Sequence, residues 1–157
     1  MSTVTVQKIK HGYPLGSLVI CDALKIKAVA LAKTFWNAQV ADEFMEGLDT
    51  WKSGKEFSLD WLPLEELATF GYRPITKNNH WVMTTGVDAH VDSIWGPTLV
   101  WVLVNDGMHF KQGPEKLLHQ AGEWYIFNDA LAHAVDVTKA SPAEAVYLGW
   151  AVQLENI

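Results

Sequence analysis

Thr98-Leu-Val-Trp-Val-Leu-Val-Asn105, followed at once by Asp106-Gly107, is the stretch on which the reading of the fold turns. It is a short run rich in Val and Trp, bounded by turn residues, which is how a strand and its turn look. Working outward, the same punctuation recurs from Pro74 to the end: short runs of Val, Trp, Tyr and Thr separated by Gly, Pro, Asn and Asp. Strands are predicted over 81–85, 99–104, 116–120, 124–127, 134–137 and 146–152, with Asn105-Asp-Gly107 and Gly113-Pro114 as turns. That spacing predicts a sandwich or jelly-roll barrel.

Upstream of Pro74 the pattern is helical. From Asp22, which has the chemistry of an N-cap, apolar residues fall at Leu24, Ala28, Leu31, Phe35 and Ala38, the spacing of an amphipathic helix expected to continue to Gly47. A shorter helix is predicted over Pro63-Leu-Glu-Glu-Leu-Ala-Thr-Phe70, with Pro63 near its first turn and Gly71 just past its end. The polar interruption Lys52-Ser-Gly-Lys-Glu56 is loop-sized. The expectation is one domain over 1–157, mostly β: helical support over about 1–75, one helix packed on a sheet, and a jelly-roll core over about 76–157.

Composition narrows the function. A net charge of −6 disfavours broad contact with a phosphate backbone, so small molecules or protein side chains are the expected substrates rather than nucleic acid. No run is apolar for the length of a membrane span, Met1-Ser-Thr-Val-Thr-Val lacks the look of a signal peptide, and the single Cys21 cannot form an internal disulfide, so a cytoplasmic setting is expected. Cys21 abuts the helix cap, where burial is expected rather than nucleophilic work. Trp36, Trp81, Trp101, Trp124 and Trp150 sit within apolar runs and are read first as core. Neither a Gly-rich phosphate loop nor a Ser-His-Asp ordering nor a paired Cys motif is present.

The residues that carry chemistry are His90-Val-Asp92 and His133, which lies 41 residues after Asp92. On a strand, positions i and i+2 face the same way, so His90 and Asp92 can bind one ion, and His133 must arrive from another strand. Two imidazoles and one carboxylate are the ligand set of a mononuclear iron site with open positions. Asp88, two residues before His90, is a rival carboxylate that needs a less regular backbone. His80 follows Asn78-Asn79 in what reads as a polar turn, His109 and His119 fall between the ligand-bearing strands, and His11 stands beside Gly12. All four are expected to be surface or hydrogen-bonded structural histidines, with substrate contact as the alternative for His109.

From Trp81 to His133 the chain resembles the catalytic core of the iron(II)- and 2-oxoglutarate-dependent dioxygenases, in particular their prolyl-hydroxylase-like branch. The motifs are Trp81-Val-Met-Thr-Thr-Gly86 before His90-Val-Asp92, then Thr98–Asn105, then Gly122-Glu-Trp-Tyr-Ile-Phe127 leading to His133-Ala-Val135, and the resemblance covers roughly residues 79–152. It implies a double-stranded β-helix in which His90, Asp92 and His133 hold iron(II), with 2-oxoglutarate as co-substrate of a hydroxylation. Trp81, Met83 and Trp101 are then candidates for the pocket lining, core packing being the alternative reading.

One departure stands out. The family places a basic residue on the last core strand, where this chain reads Ala143-Glu144-Ala-Val-Tyr147. Lys139, Lys111 and Arg73, the last being the single arginine, are the remaining candidates for a co-substrate anchor. A cupin comparison rests on the eleven-residue step from Gly122 to His133, but the chain lacks the Pro and Gly between them and the His-x-His of the first cupin motif. Three functions are therefore in play: an iron(II) oxygenase, a catalytically silent jelly-roll binding or regulatory protein, and a cupin-like metal-dependent isomerase or lyase.

Overall fold

The computed structural model describes residues 10–34, 47–48, 51–54, 62, 64–91, 96–136 and 145–157. In chain order the elements are β1 (Gly16–Ser17), α1 (Asp22–Thr34), β2 (Gly47–Leu48), β3 (Trp51–Gly54), α2 (Leu64–Thr69), β4 (Tyr72–Thr84), β5 (Val87–His90), β6 (Pro97–Asn105), β7 (His109–Gln112), β8 (Glu115–Leu117), β9 (Glu123–Asn128), β10 (His133–Asp136) and β11 (Tyr147–Asn156). Among the described residues the strands form a seven-stranded sheet, β1-β9-β6-β11-β4-β3-β2, and a four-stranded sheet, β5-β10-β7-β8. Every pairing is antiparallel.

Strand β6 explains the architecture. Its odd positions Leu99, Trp101 and Leu103 join a core beneath the helices, with Leu24 and Ala28 of α1 and Leu67 of α2. Its even positions Val100 and Val102 join a second core with Tyr125 and Phe127 of β9 and with Phe110 and Val135 of the small sheet. A strand covered on both faces is apolar without alternation, which is why Leu99–Val104 is a continuous run. The large sheet is thus the middle layer, with helices on one face and the small sheet on the other. After β6, Gly107 takes φ 86° in the turn read from Asn105-Asp-Gly107, a conformation that a β-carbon disfavours.

Several expectations need correction. Helix α1 is described over Asp22–Thr34; residues 35–46 of its predicted continuation lie outside the described residues, and Gly47 stands in a strand rather than at the helix end. The carbonyl of Cys21 accepts from the Lys25 amide at 2.9 Å, so Cys21 holds the cap position and Asp22 stands in the first turn, where its charge complements the helix dipole. Cys21 is exposed rather than buried, because the buried stripe of α1 starts at Leu24. The region before Pro74 is not purely helical either, since β1, β2 and β3 extend the large sheet. Within the stretch read as a loop, β3 pairs in register with β4, and the Trp81 ring stands 2.5 Å from where a β-carbon on Gly54 would be. His80 belongs to β4 opposite Ala151 rather than to a turn, and Asn79 accepts from Trp150 Nε1 at 3.3 Å: pairing with β11 overrides local turn chemistry. No described helix is long and apolar enough to cross a membrane.

Candidate metal centre

Strand β10 lies between β5 and β7, and its register places His133 opposite both His90 and Gln112. The two imidazole rings come to 4.5 Å between centroids with a tilt of 56°. Strand β5 is aimed there by the turn at Gly86, whose amide donates to Thr84 Oγ1 at 3.0 Å and whose φ is 121°. His133 is buried on the edges of aromatic rings, with Phe127 at 4.7 Å and Phe110 at 6.3 Å.

The hydrogen bonds set the chemistry of both rings. His90 Nδ1 lies 2.6 Å from the Asp88 carbonyl and His133 Nδ1 lies 2.9 Å from the Leu131 carbonyl. A carbonyl can only accept, so each Nδ1 carries a proton, and in the neutral rings the lone pair is on Nε2. Fixing one ring nitrogen on the backbone so that the other can coordinate is the usual support of a metal-binding histidine. In each ring this leaves Nε2 as the nitrogen able to coordinate. The predicted third ligand, Asp92, lies outside the described residues, and among the described residues no three His, Cys, Asp or Glu side chains are gathered tightly enough to hold an ion.

Sequence reasoning missed a carboxylate beside this pair. Asp129, buried in the turn between β9 and β10, places Oδ1 3.6 Å from His133 Nε2. The turn is braced: the Asp129 amide donates to the Gly96 carbonyl at 2.7 Å and the Ala130 amide to Asn128 Oδ1 at 3.0 Å. Gln112 clips it from β7, donating through Nε2 to the Asn128 carbonyl at 2.7 Å and accepting from the Asn128 amide at 3.0 Å. In the sequence, Asn128-Asp129 reads as turn chemistry; its position four residues before His133 was the available signal.

The other candidates are not brought to the histidines. Trp81, Met83 and Trp101 pack in the core beneath the helices, on the face of the large sheet turned away from the small sheet. On β7, Phe110 enters the core between the sheets, so its neighbour Lys111 faces outward, where it pairs with Asp136 at 3.2 Å. Arg73 pairs with Glu155 at 2.9 Å at the exposed end of the β4–β11 ladder. Lys139 lies outside the described residues.

Where the last core strand passes the space between the sheets, the polar groups are neutral. Tyr147 of β11 shares a 2.8 Å hydrogen bond with Tyr125, and the Tyr147 hydroxyl lies 3.4 Å from His119 Nδ1. His119 stacks on Tyr125 at 4.0 Å and its Nε2 donates to the Gly12 carbonyl at 2.6 Å. Burial lowers the His119 pKa, against the opposing effects of the Gly12 bond and Glu123. Burial raises both phenols, so the trio is uncharged at neutral pH. Of the two readings for His119, the hydrogen-bonded structural one applies.

No family model matches the chain and no curated protein matches its sequence. Solved structures do match. EvdMO1 superposes with a TM-score of 0.62 at 15% identity over 91% of this chain, which spans 46% of that protein's length. An oxidoreductase of the 2OG-Fe(II) oxygenase family from Burkholderia pseudomallei superposes with a TM-score of 0.53 at 11% identity, over 87% of this chain and 79% of that one. At such identities the likeness is one of fold, which among the described residues is mostly β, with two helices and antiparallel sheets.

Proposed function

We propose that the chain is a single-domain non-haem iron(II) oxygenase on a jelly-roll core, with His90, Asp92 and His133 as the metal ligands and 2-oxoglutarate as co-substrate. The strand order β4-β11-β6-β9 facing β5-β10-β7-β8 supports reading the core as a double-stranded β-helix. The observation that carries the metal reading is the contact of His90 with His133 while the Nδ1 of each is committed to a backbone carbonyl.

Iron bound there would supply dioxygen activation coupled to decarboxylation of the co-substrate. The chain's own residues do the rest. The Asp88 and Leu131 carbonyls hold the two rings in one orientation and one tautomer. Phe110 and Phe127 close the inner side of His133 against water. Val91, next to His90, and Leu131 are exposed and offer apolar contact at the mouth to a small molecule or a protein side chain. The test is an anaerobic titration of iron(II) followed by 2-oxoglutarate, watching for the visible charge-transfer band of the chelated co-substrate, and then succinate release in air. Absence of both band and succinate would remove the 2-oxoglutarate reading.

A second reading, a jelly-roll binding protein that holds a metal without oxidation, is favoured by one observation: two of the candidate anchors for a dicarboxylate are engaged elsewhere, Lys111 with Asp136 and Arg73 with Glu155. Metal binding with no spectral response to 2-oxoglutarate is its signature.

A further inference from the structure

Helix α1 is apolar on two sides. Each residue advances about 100° around the axis, so Ile26 stands about 160° from both Leu24 and Ala28, the buried residues that seat the helix on the large sheet. A surface helix ordinarily turns polar residues to that side. Here Ile26 is 70% exposed, and Val29 and Ala30, one turn on, are exposed beside it. We infer that this outer face docks on the same face of a second copy of the chain, the two helices running antiparallel across a two-fold axis.

The order of residues on the face argues for a second copy as its occupant. A two-fold axis lays a patch on itself, so the patch must complement its own reverse. Along the outer line of α1 stand Asp22, Ile26, Val29 and Lys33, all exposed, with the acid in the first turn and the base in the last. Reversed about the midpoint between Lys27 and Ala28, Asp22 meets the partner's Lys33 and Ile26 meets the partner's Val29, so opposite charges close both ends of an apolar middle. Lys25 and Lys27 lie to either side of this line and are exposed. An apolar strip flanked by lysines also fits an anionic membrane, but a net charge of −6 sets the chain as a whole against that surface. The helices and the small sheet lie on opposite faces of the large sheet, so pairing through α1 leaves the histidine pair open and does not depend on the metal reading. A strip about 20 Å long sits at the low end of interface sizes, so monomer and dimer are expected to exchange in the range of about 10–100 µM.

The test is sedimentation velocity on the purified chain from about 2 to 200 µM, which brackets that range. The wild type is compared with Ile26→Asp, the milder Ile26→Ser, Asp22→Lys and Lys33→Asp, with circular dichroism on each. The expected result is a wild type that moves toward the dimer mass with concentration and single variants of which Ile26→Asp, Asp22→Lys and Lys33→Asp each associate at least about tenfold more weakly. An equal mixture of the Asp22→Lys and Lys33→Asp chains should recover the dimer, because the two chains then present opposite charges to each other at both ends; a helix merely weakened by charge reversal gives no such recovery. A wild type that stays monomeric throughout would overturn the proposal and leave the face to a partner of another chemistry. A dimer unchanged by both Ile26 variants would overturn it by placing the contact elsewhere, and a mixture no stronger than either charge variant alone would overturn the antiparallel pairing.

Discussion

Tyr147 shows what a single hydroxyl can do in this core. It accepts a hydrogen bond from the Tyr125 hydroxyl and turns its own hydroxyl to His119 Nδ1, so the hydrogen-bond chain runs from Tyr125 through His119 to the Gly12 carbonyl. Tyr147→Phe leaves the buried Tyr125 hydroxyl without its acceptor and is expected to lower stability by about 1–3 kcal/mol in a denaturant melt. His119 sets a pH response. Its pKa is lower in the folded chain than the usual 6.5, so the unfolded chain binds more protons in between. Stability attributable to this group is therefore full above about 6.5 and falls as the pH drops toward and through the folded value. His119→Gln should flatten that limb of the stability profile relative to wild type; an identical acid limb in the variant would show that His119 does not drive it.

At the scale of elements, the face on which a side chain falls decided more than its identity. Lys111 was a reasonable anchor by position in the chain, but strand parity gives the interior to Phe110 and turns Lys111 to the outer face beside Asp136. Lys111→Ala should therefore change stability by less than about 1 kcal/mol and leave metal and 2-oxoglutarate affinity as in wild type, measured by calorimetry. Gly54→Ala tests the edge of the large sheet: its methyl would meet the Trp81 ring at 2.5 Å, and overpacking of that kind costs about 1–3 kcal/mol. Parity also marks the limit of what could be read from residues alone. Strand β6 was legible because burial on both faces leaves an unbroken apolar run. Strands β5 (Val-Asp-Ala-His) and β7 (His-Phe-Lys-Gln) were not, since each carries few apolar residues and is extended because β10 pairs with it. The same limit hid Asp129, whose surroundings spell a turn until the fold sets it against His133.

At the scale of the molecule, the middle sheet separates two tasks. One core, beneath the helices, holds Trp81, Trp101, Trp124 and Trp150 and carries packing. The other, between the sheets, carries the aromatic floor under His133 and the neutral His119 trio. A metal bound at the rim of this second core joins β5 to β10 and is expected to stabilise the folded chain by mass action, about 2.7 kcal/mol at a hundredfold excess over Kd. That corresponds to a rise in melting temperature of roughly 5–10 °C, absent in His133→Ala.

The central claim is that His90 and His133 form one metal site, and anaerobic equilibrium binding of iron(II) tests it most directly. The account predicts one equivalent bound by the wild type and its loss in both His90→Ala and His133→Ala while each variant keeps the wild-type circular dichroism. Undiminished binding in either folded variant, or no binding by the wild type, would contradict it.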